Sequence, residues 1–164
     1  MTKDQEFIKL IRENKGIIYK ICNSYCANKA DRDDLAQEII YNLWKSFNNF
    51  NAGFKFSTWM YRVALNVAIS FYRREKKSKD HDPILEELIV FEEQPDDKAE
   101  VEKNLRLLQE FINELKESDR AIILLYLDDR SHREISEITG FTETNVATRI
   151  NRIKDKLRTN FSNA

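Results

Sequence analysis

Thr144, Asn145, Thr148, Arg149, Arg152 and Lys156 recur at helical spacing near the end of the chain. Their donors and acceptors suit base edges and phosphates, so the chemistry on offer is recognition rather than bond-making. They lie in SHREISEITGFTETNVATRINRIKDKLR, residues 131–158, which reads as two short helices hinged at Gly140. Ser131 caps the first helix, whose Ile135 and Ile138 share one side, and the small Ser136 permits close approach of the second. Gly140 supplies a positive φ, Phe141 plugs the corner, and Thr142 caps the second helix. Val146, Ile150, Ile153 and Leu157 form that helix's buried stripe and leave the six polar residues facing out. This is the sequence form of a helix-turn-helix, whose second helix enters a major groove by its N-terminal end. The competing reading is a plain helical hairpin with a solvated basic face.

The elements that must position this unit are helical throughout. A first helix over 4–13 carries Phe7, Leu10 and Ile11, and a second over 15–28 carries Ile17, Ile18, Ile21, Cys22 and Tyr25. A third starts near Asp31 and runs through Leu35, Ile39, Leu43 and Phe47. NNFNAGFKFS then interrupts the pattern, and Ser57 caps a fourth helix that continues from Thr58 into the basic RREKK. Residues 78–98 are acidic, hold both prolines and contain an apolar LIVF knot, as a linker with a docking segment would. From Ala99 a further amphipathic helix sets Val101, Leu105, Leu108, Ile112 and Leu115 in register. A Ser118-capped helix with Ile122, Ile123, Leu125 and Tyr126 follows, and these two helices give the helix-turn-helix its core.

Composition narrows the function class. A chain of 164 residues with three Gly, two Pro and 34% charged residues favours long helices with wet faces over a sandwich or barrel. The net charge of −1 hides a basic cluster, Arg62, Arg73, Arg74, Lys76, Lys77 and Lys79, beside an acidic one, Asp80 to Asp97. The N-terminus lacks the apolar core of a signal peptide and no run reaches membrane-spanning length, so a cytoplasmic protein with no membrane insertion is expected. Cys22 and Cys26 lie one helical turn apart, but neither His81 nor His132 is near enough in sequence to complete a metal site, and buried reduced thiols are expected. No Gly-rich phosphate loop, Cys/His cluster or nucleophile-base pairing stands out, so neither an enzyme nor a cofactor is expected.

DRDDLAQEIIYNLWKSFNNF at 31–50 and FKFSTWMYRVALNVAISFYRREKK at 54–77 together resemble region 2 of the sigma-70 family, specifically its compact extracytoplasmic-function (ECF) group. Residues 99–161 resemble region 4 of the same family. The order of DLxQE helix, STWxYRxAxN helix, acidic linker and terminal helix-turn-helix is what makes the resemblance specific. Nothing in the chain resembles the long N-terminal or central segments of housekeeping sigma factors, which marks the compact group. The resemblance implies an all-α protein of two small helical domains, region 2 over 1–77 and region 4 over 99–164, joined by the linker 78–98.

Roles for individual residues follow from the resemblance alone. In the family the DLxQE helix docks on the clamp helices of the largest subunit of core RNA polymerase, and Asp33, Asp34, Gln37, Glu38 and Asn42 match its polar positions. Their spacing puts several on one face while Leu35, Ile39 and Leu43 turn inward. The next loop and helix open the promoter minus-10 element, and the matching positions are Asn51, Lys55, Arg62, Asn66, Arg73, Arg74, Lys76 and Lys77. Trp44 and Trp59 are expected to pack rather than stack on bases. Region 4 reads the minus-35 element, and the six residues of the terminal helix match. Ala147 departs from the Lys or Arg common in relatives, so the preferred minus-35 sequence does not carry over. The expected partners are core RNA polymerase and promoter DNA. Many relatives also have an anti-sigma factor, and whether this chain has one stays open.

The function implied is that of a sigma factor, a polymerase subunit that selects promoters and has no chemistry of its own. The alternative is a helix-turn-helix regulator that binds DNA without joining the polymerase. A further expectation concerns the free protein: the acidic linker competes with phosphates for the basic end of the fourth helix, so promoter binding is weak until core polymerase relieves it.

Overall fold

The computed structural model describes residues 2–50, 53, 55–78 and 99–162, with side chains described as far as residue 75 before the linker and from residue 101 after it. Helices α1 (Lys3–Glu13), α2 (Lys15–Tyr25), α3 (Lys29–Ser46) and α4 (Phe56–Ser78) precede the linker, with a 3-10 turn at Phe47–Asn49. Helices α5 (Ala99–Glu114), α6 (Glu117–Leu127), α7 (His132–Thr139) and α8 (Glu143–Ser162) follow it.

Local chemistry explains the boundaries. Thr2 and Gln5 form a reciprocal capping box on α1. Asn28, three residues before the expected start at Asp31, caps α3 by accepting from the Asp31 amide at 2.8 Å. Helix α4 starts at Phe56, so Ser57 lies inside it rather than capping it. Ser118 likewise falls within the first turn of α6, whose N-cap position is Lys116. That helix ends with Asp129 at φ 59°, while the Arg130 amide donates to the Leu125 carbonyl and the Asp129 amide to Tyr126. This Schellman arrangement satisfies the terminal carbonyls, and aspartate is among the few side chains that tolerate the left-handed conformation.

Helices α2, α3 and α4 pack together around Ile21, Leu35, Ile39, Leu43, Met60, Tyr61 and Ala64, with Phe7 of α1 wedged against Trp44 and Phe47. Removing a methyl-rich side chain such as Leu43 from this close-packed interior costs about 2–5 kcal/mol. Helices α6, α7 and α8 bury Ile122, Leu125, Ile135, Val146 and Ile150, which belong to the same continuous apolar cluster. A second cluster joins Phe111 and Ile112 of α5 and Leu115 of the turn after it to Ile123 and Ile153. The N-terminal half of α5 departs from expectation, because Val101 and Leu105 are exposed. Only its C-terminal half reaches α6 and α8.

Cys22 and Cys26 are buried thiols outside any disulfide. Burial pushes the Cys22 thiol up to about 11, with Arg32 pulling partly the other way and Asp33 adding to the rise. Since the thiolate is the reactive form, alkylation of the native protein at pH 8 is expected to be slow at Cys22 and complete after unfolding in guanidinium. Timed thiol titration checks this.

Candidate nucleic-acid and polymerase interface

The helix-turn-helix is built as its residues require. The Ser131 hydroxyl accepts from the Glu134 amide at 3.1 Å, Gly140 adopts φ 85°, and the Thr142 hydroxyl accepts from the Asn145 amide at 3.1 Å. Ser136 Oγ donates to the Phe141 carbonyl at 2.5 Å, tying the turn to α7. Thr144, Asn145, Thr148, Arg152 and Lys156 are exposed on α8. Thr148 Oγ1 donates back to the Thr144 carbonyl at 3.0 Å.

Arg149 corrects the expectation that it faces out. Its Nη1 reaches Asp119 Oδ1 at 3.0 Å and Ser118 Oγ at 3.2 Å, its Nε reaches Asn145 Oδ1 at 2.8 Å, and its guanidinium lies 4.2 Å from the Phe141 ring centroid. A partly buried arginine so engaged clamps α8 to α6.

On α3, Asp33, Asp34 and Gln37 are exposed, whereas Glu38 and Asn42 are half-buried. Asn42 Nδ2 donates to the Glu38 carbonyl at 2.8 Å. The Glu38 carboxylate accepts from Arg74 Nη2 at 2.7 and 2.9 Å, so a residue expected to face the polymerase is paired with one expected to face DNA. Lys55, just before α4, and Arg62 and Asn66 on it are exposed, and Arg73 Nε meets Glu117 Oε1 at 3.2 Å. Arg62 donates to the Glu137 carbonyl of α7. Asn51 and the side chains of Lys76 and Lys77 lie outside the described residues, as does the segment 79–98 on which linker competition was expected. Trp59 packs with Phe47, Phe50 and Phe56, while Trp44 sits edge-on to Phe7 and is 40% exposed.

Two groups escaped sequence reasoning. Arg120, 2% exposed, donates to the carbonyls of Ile112, Asn113, Leu115 and Ser24 and lies against the rings of Tyr25 and Tyr72. Tyr61 is fully buried and donates to Asp128 Oδ2 at 2.6 Å. No spacing signal links residues so far apart along the chain, though the charged DDR after the apolar AIILLYL does mark the end of α6.

Among the described residues there is no cluster of three or more His, Cys, Asp or Glu side chains placed to hold a metal, and no helix long and apolar enough to cross a membrane. Residues 10–78 match the family model of sigma-70 region 2, and residues 105–157 match that of sigma-70 region 4. The chain belongs to the sigma-70 family. Its relatives place it in the ECF group: it is 29% identical to the ECF RNA polymerase sigma factor SigW of Bacillus subtilis, over 94% of this chain and 89% of that one. It is 28% identical to the RNA polymerase sigma factor SigV of the same organism, over 92% and 88%. Two solved structures share the fold at 18% identity: the sigma factor RpoE of Bartonella quintana with the anti-sigma factor NepR, TM-score 0.74 over 96% of this chain and 98% of that one, and CnrH with the cytosolic domain of CnrY, TM-score 0.71 over 98% and 90%. This ECF sigma factor directs promoter-specific transcription initiation. The match over residues 10–78 disfavours a regulator that carries the terminal helix-turn-helix alone.

Proposed function

We propose that residues 1–77 dock this sigma factor on the clamp helices of core RNA polymerase and open the minus-10 element, and that residues 99–164 read the minus-35 element. The observation that carries this is an exposed polar face on α3, with the acidic Asp33 and Asp34 beside Gln37, in the same chain as a helix-turn-helix whose α8 shows Thr144, Asn145, Thr148, Arg152 and Lys156. Acidic side chains suit a basic partner helix, and the α8 set suits a major groove. Asn66, Lys55 and the arginines of α4 serve the minus-10 strand, with Asn51, Lys76 and Lys77 assigned by their place in the motif. Promoter selection needs no bond-making groups of its own, and the protein works in the cytoplasm. An anti-sigma partner is proposed on the parallel with the NepR complex, and co-purification from the native host tests it.

Run-off transcription with purified core polymerase on a promoter library tests the main reading. Productive initiation from a restricted promoter set is expected; failure to bind core polymerase would overturn it. Within that assay Thr148→Ala is expected to change minus-35 sequence preference at a cost of about 1–3 kcal/mol. Arg149→Ala is expected to weaken all promoters alike and to lower the unfolding free energy, because the α6–α8 clamp is lost. A shifted sequence profile for Arg149→Ala at unchanged stability would restore Arg149 to the base-reading set.

A further inference from the structure

The outward face of α8 carries hydrogen-bonding groups whose polarity is already set inside the protein. Asn145 and Thr148 are the third and sixth residues of α8 and lie one turn apart on its exposed side, at the end that enters a groove. Asn145 Oδ1 accepts from Arg149 Nε at 2.8 Å. A guanidinium has donors only, so the amide cannot face it the other way round. Arg149 is in turn anchored by Asp119 Oδ1 at 3.0 Å and Ser118 Oγ at 3.2 Å, which holds the amide oxygen toward Arg149 and leaves Nδ2 on the other side. Thr148 has the reverse polarity. Its Oγ1 lies 3.0 Å from the Thr144 carbonyl, which has no proton to give, so the hydroxyl proton is committed there and lone pairs remain for a partner outside.

Those polarities sort the four bases. On the major-groove edge guanine O6 and N7 and thymine O4 accept, adenine has an N7 acceptor beside its N6 donor, and cytosine presents only its N4 donor. A donor from Asn145 therefore finds nothing to bind on cytosine, and an acceptor from Thr148 finds nothing to bind on guanine or thymine. Three residues of helix rise by about 4.5 Å, nearest to a single base-pair step of roughly 3.4 Å, so the two side chains meet neighbouring pairs.

We propose that α8 reads the minus-35 element through this fixed pair, Asn145 as a donor that rejects cytosine and Thr148 as an acceptor that requires adenine or cytosine at the neighbouring base pair. The assignment deepens the function proposed above and rests on it, since it takes α8 as the reader of that element. It names base classes at two positions, where the departure at Ala147 keeps the sequences preferred by relatives from carrying over.

Asn145→Asp is the decisive exchange. The side chain keeps its shape, one carboxylate oxygen stays on Arg149, and the other puts an acceptor where the Nδ2 donor was. An aspartate in the first turn also suits the positive end of the helix dipole, so α8 stays intact. Run-off transcription with purified core polymerase is read on a library randomised through the minus-35 element. At one base pair the parent is expected to disfavour cytosine, and Asn145→Asp to favour cytosine or adenine there. The change in relative use is about three- to tenfold, the size expected for one hydrogen bond. The added negative charge lowers the use of every promoter and cancels in the relative profile. At the neighbouring pair Thr148→Val is expected to flatten the preference for adenine or cytosine, and Thr148→Ser to retain it. A selective parent whose profile survives Asn145→Asp or Thr148→Val overturns this assignment alone, and so do shifts by both variants at one and the same base pair. If Asn145→Asp loses helical content, the two Thr148 variants decide by the same profile. A parent that initiates with no minus-35 preference overturns the proposed reading of that element and this assignment with it.

Discussion

Replacing Asp34 and Glu38 together by Lys is expected to weaken core-polymerase binding by about 2–5 kcal/mol, or roughly 30-fold to several thousand-fold, while leaving the helical content intact. Asp34 is exposed on α3, so its reversal removes nothing from the core. Glu38 differs, because it also holds Arg74. The exchange Glu38→Arg with Arg74→Glu separates the two roles: it restores an intramolecular pair but leaves a positive charge at position 38. Polymerase affinity measured for this exchange should stay low if the carboxylate faces a basic clamp helix. Full recovery would mean that Glu38 serves α4 and not the polymerase, and unchanged affinity in a well-folded double Lys variant would remove the α3 face from the interface.

Arg120→Met is expected to cost about 3–5 kcal/mol of stability by urea unfolding. The side chain satisfies carbonyls at the end of α5 and in the turn after it, and also Ser24 of α2, so its loss strands acceptors on two sides of the region boundary. Its guanidinium also lies 4.6 and 5.2 Å from the Tyr72 and Tyr25 ring centroids. Arg120→Lys should recover little of this, because a single ammonium cannot reproduce the planar fork. Variants within about 0.5 kcal/mol of the parent would show that water takes over the carbonyls and that the residue is not structural.

The Arg120 result bears on how the regions meet. Tyr25, which shares its ring with Arg120, donates to the Glu117 carbonyl at 2.9 Å, and Arg73 pairs with the Glu117 carboxylate. The basic end of α4 thus finds carboxylates on α3 and α6, a different source of negative charge from the acidic linker named by the sequence.

What the sequence determined by itself was the set of locally encoded features. Helical periodicity, the Ser131 and Thr142 caps and the left-handed Gly140 each depend on neighbours within four or five residues, and they yielded the helix-turn-helix with its turn in place. The order of acidic helix, aromatic-basic helix and helix-turn-helix carried the family in the same way. Tertiary structure decided the rest, because amphipathic spacing says which side of a helix is buried but not what buries it. Arg149 has the composition of a base reader and is drawn inward only because Asp119 and Phe141 lie beside it. Val101 and Leu105 continue an apolar stripe, yet α5 overruns the helices that could cover it. Tyr61 and Asp128 are ordinary residues until α4 meets the end of α6, where the hydroxyl of a buried ring requires an acceptor and the carboxylate supplies it.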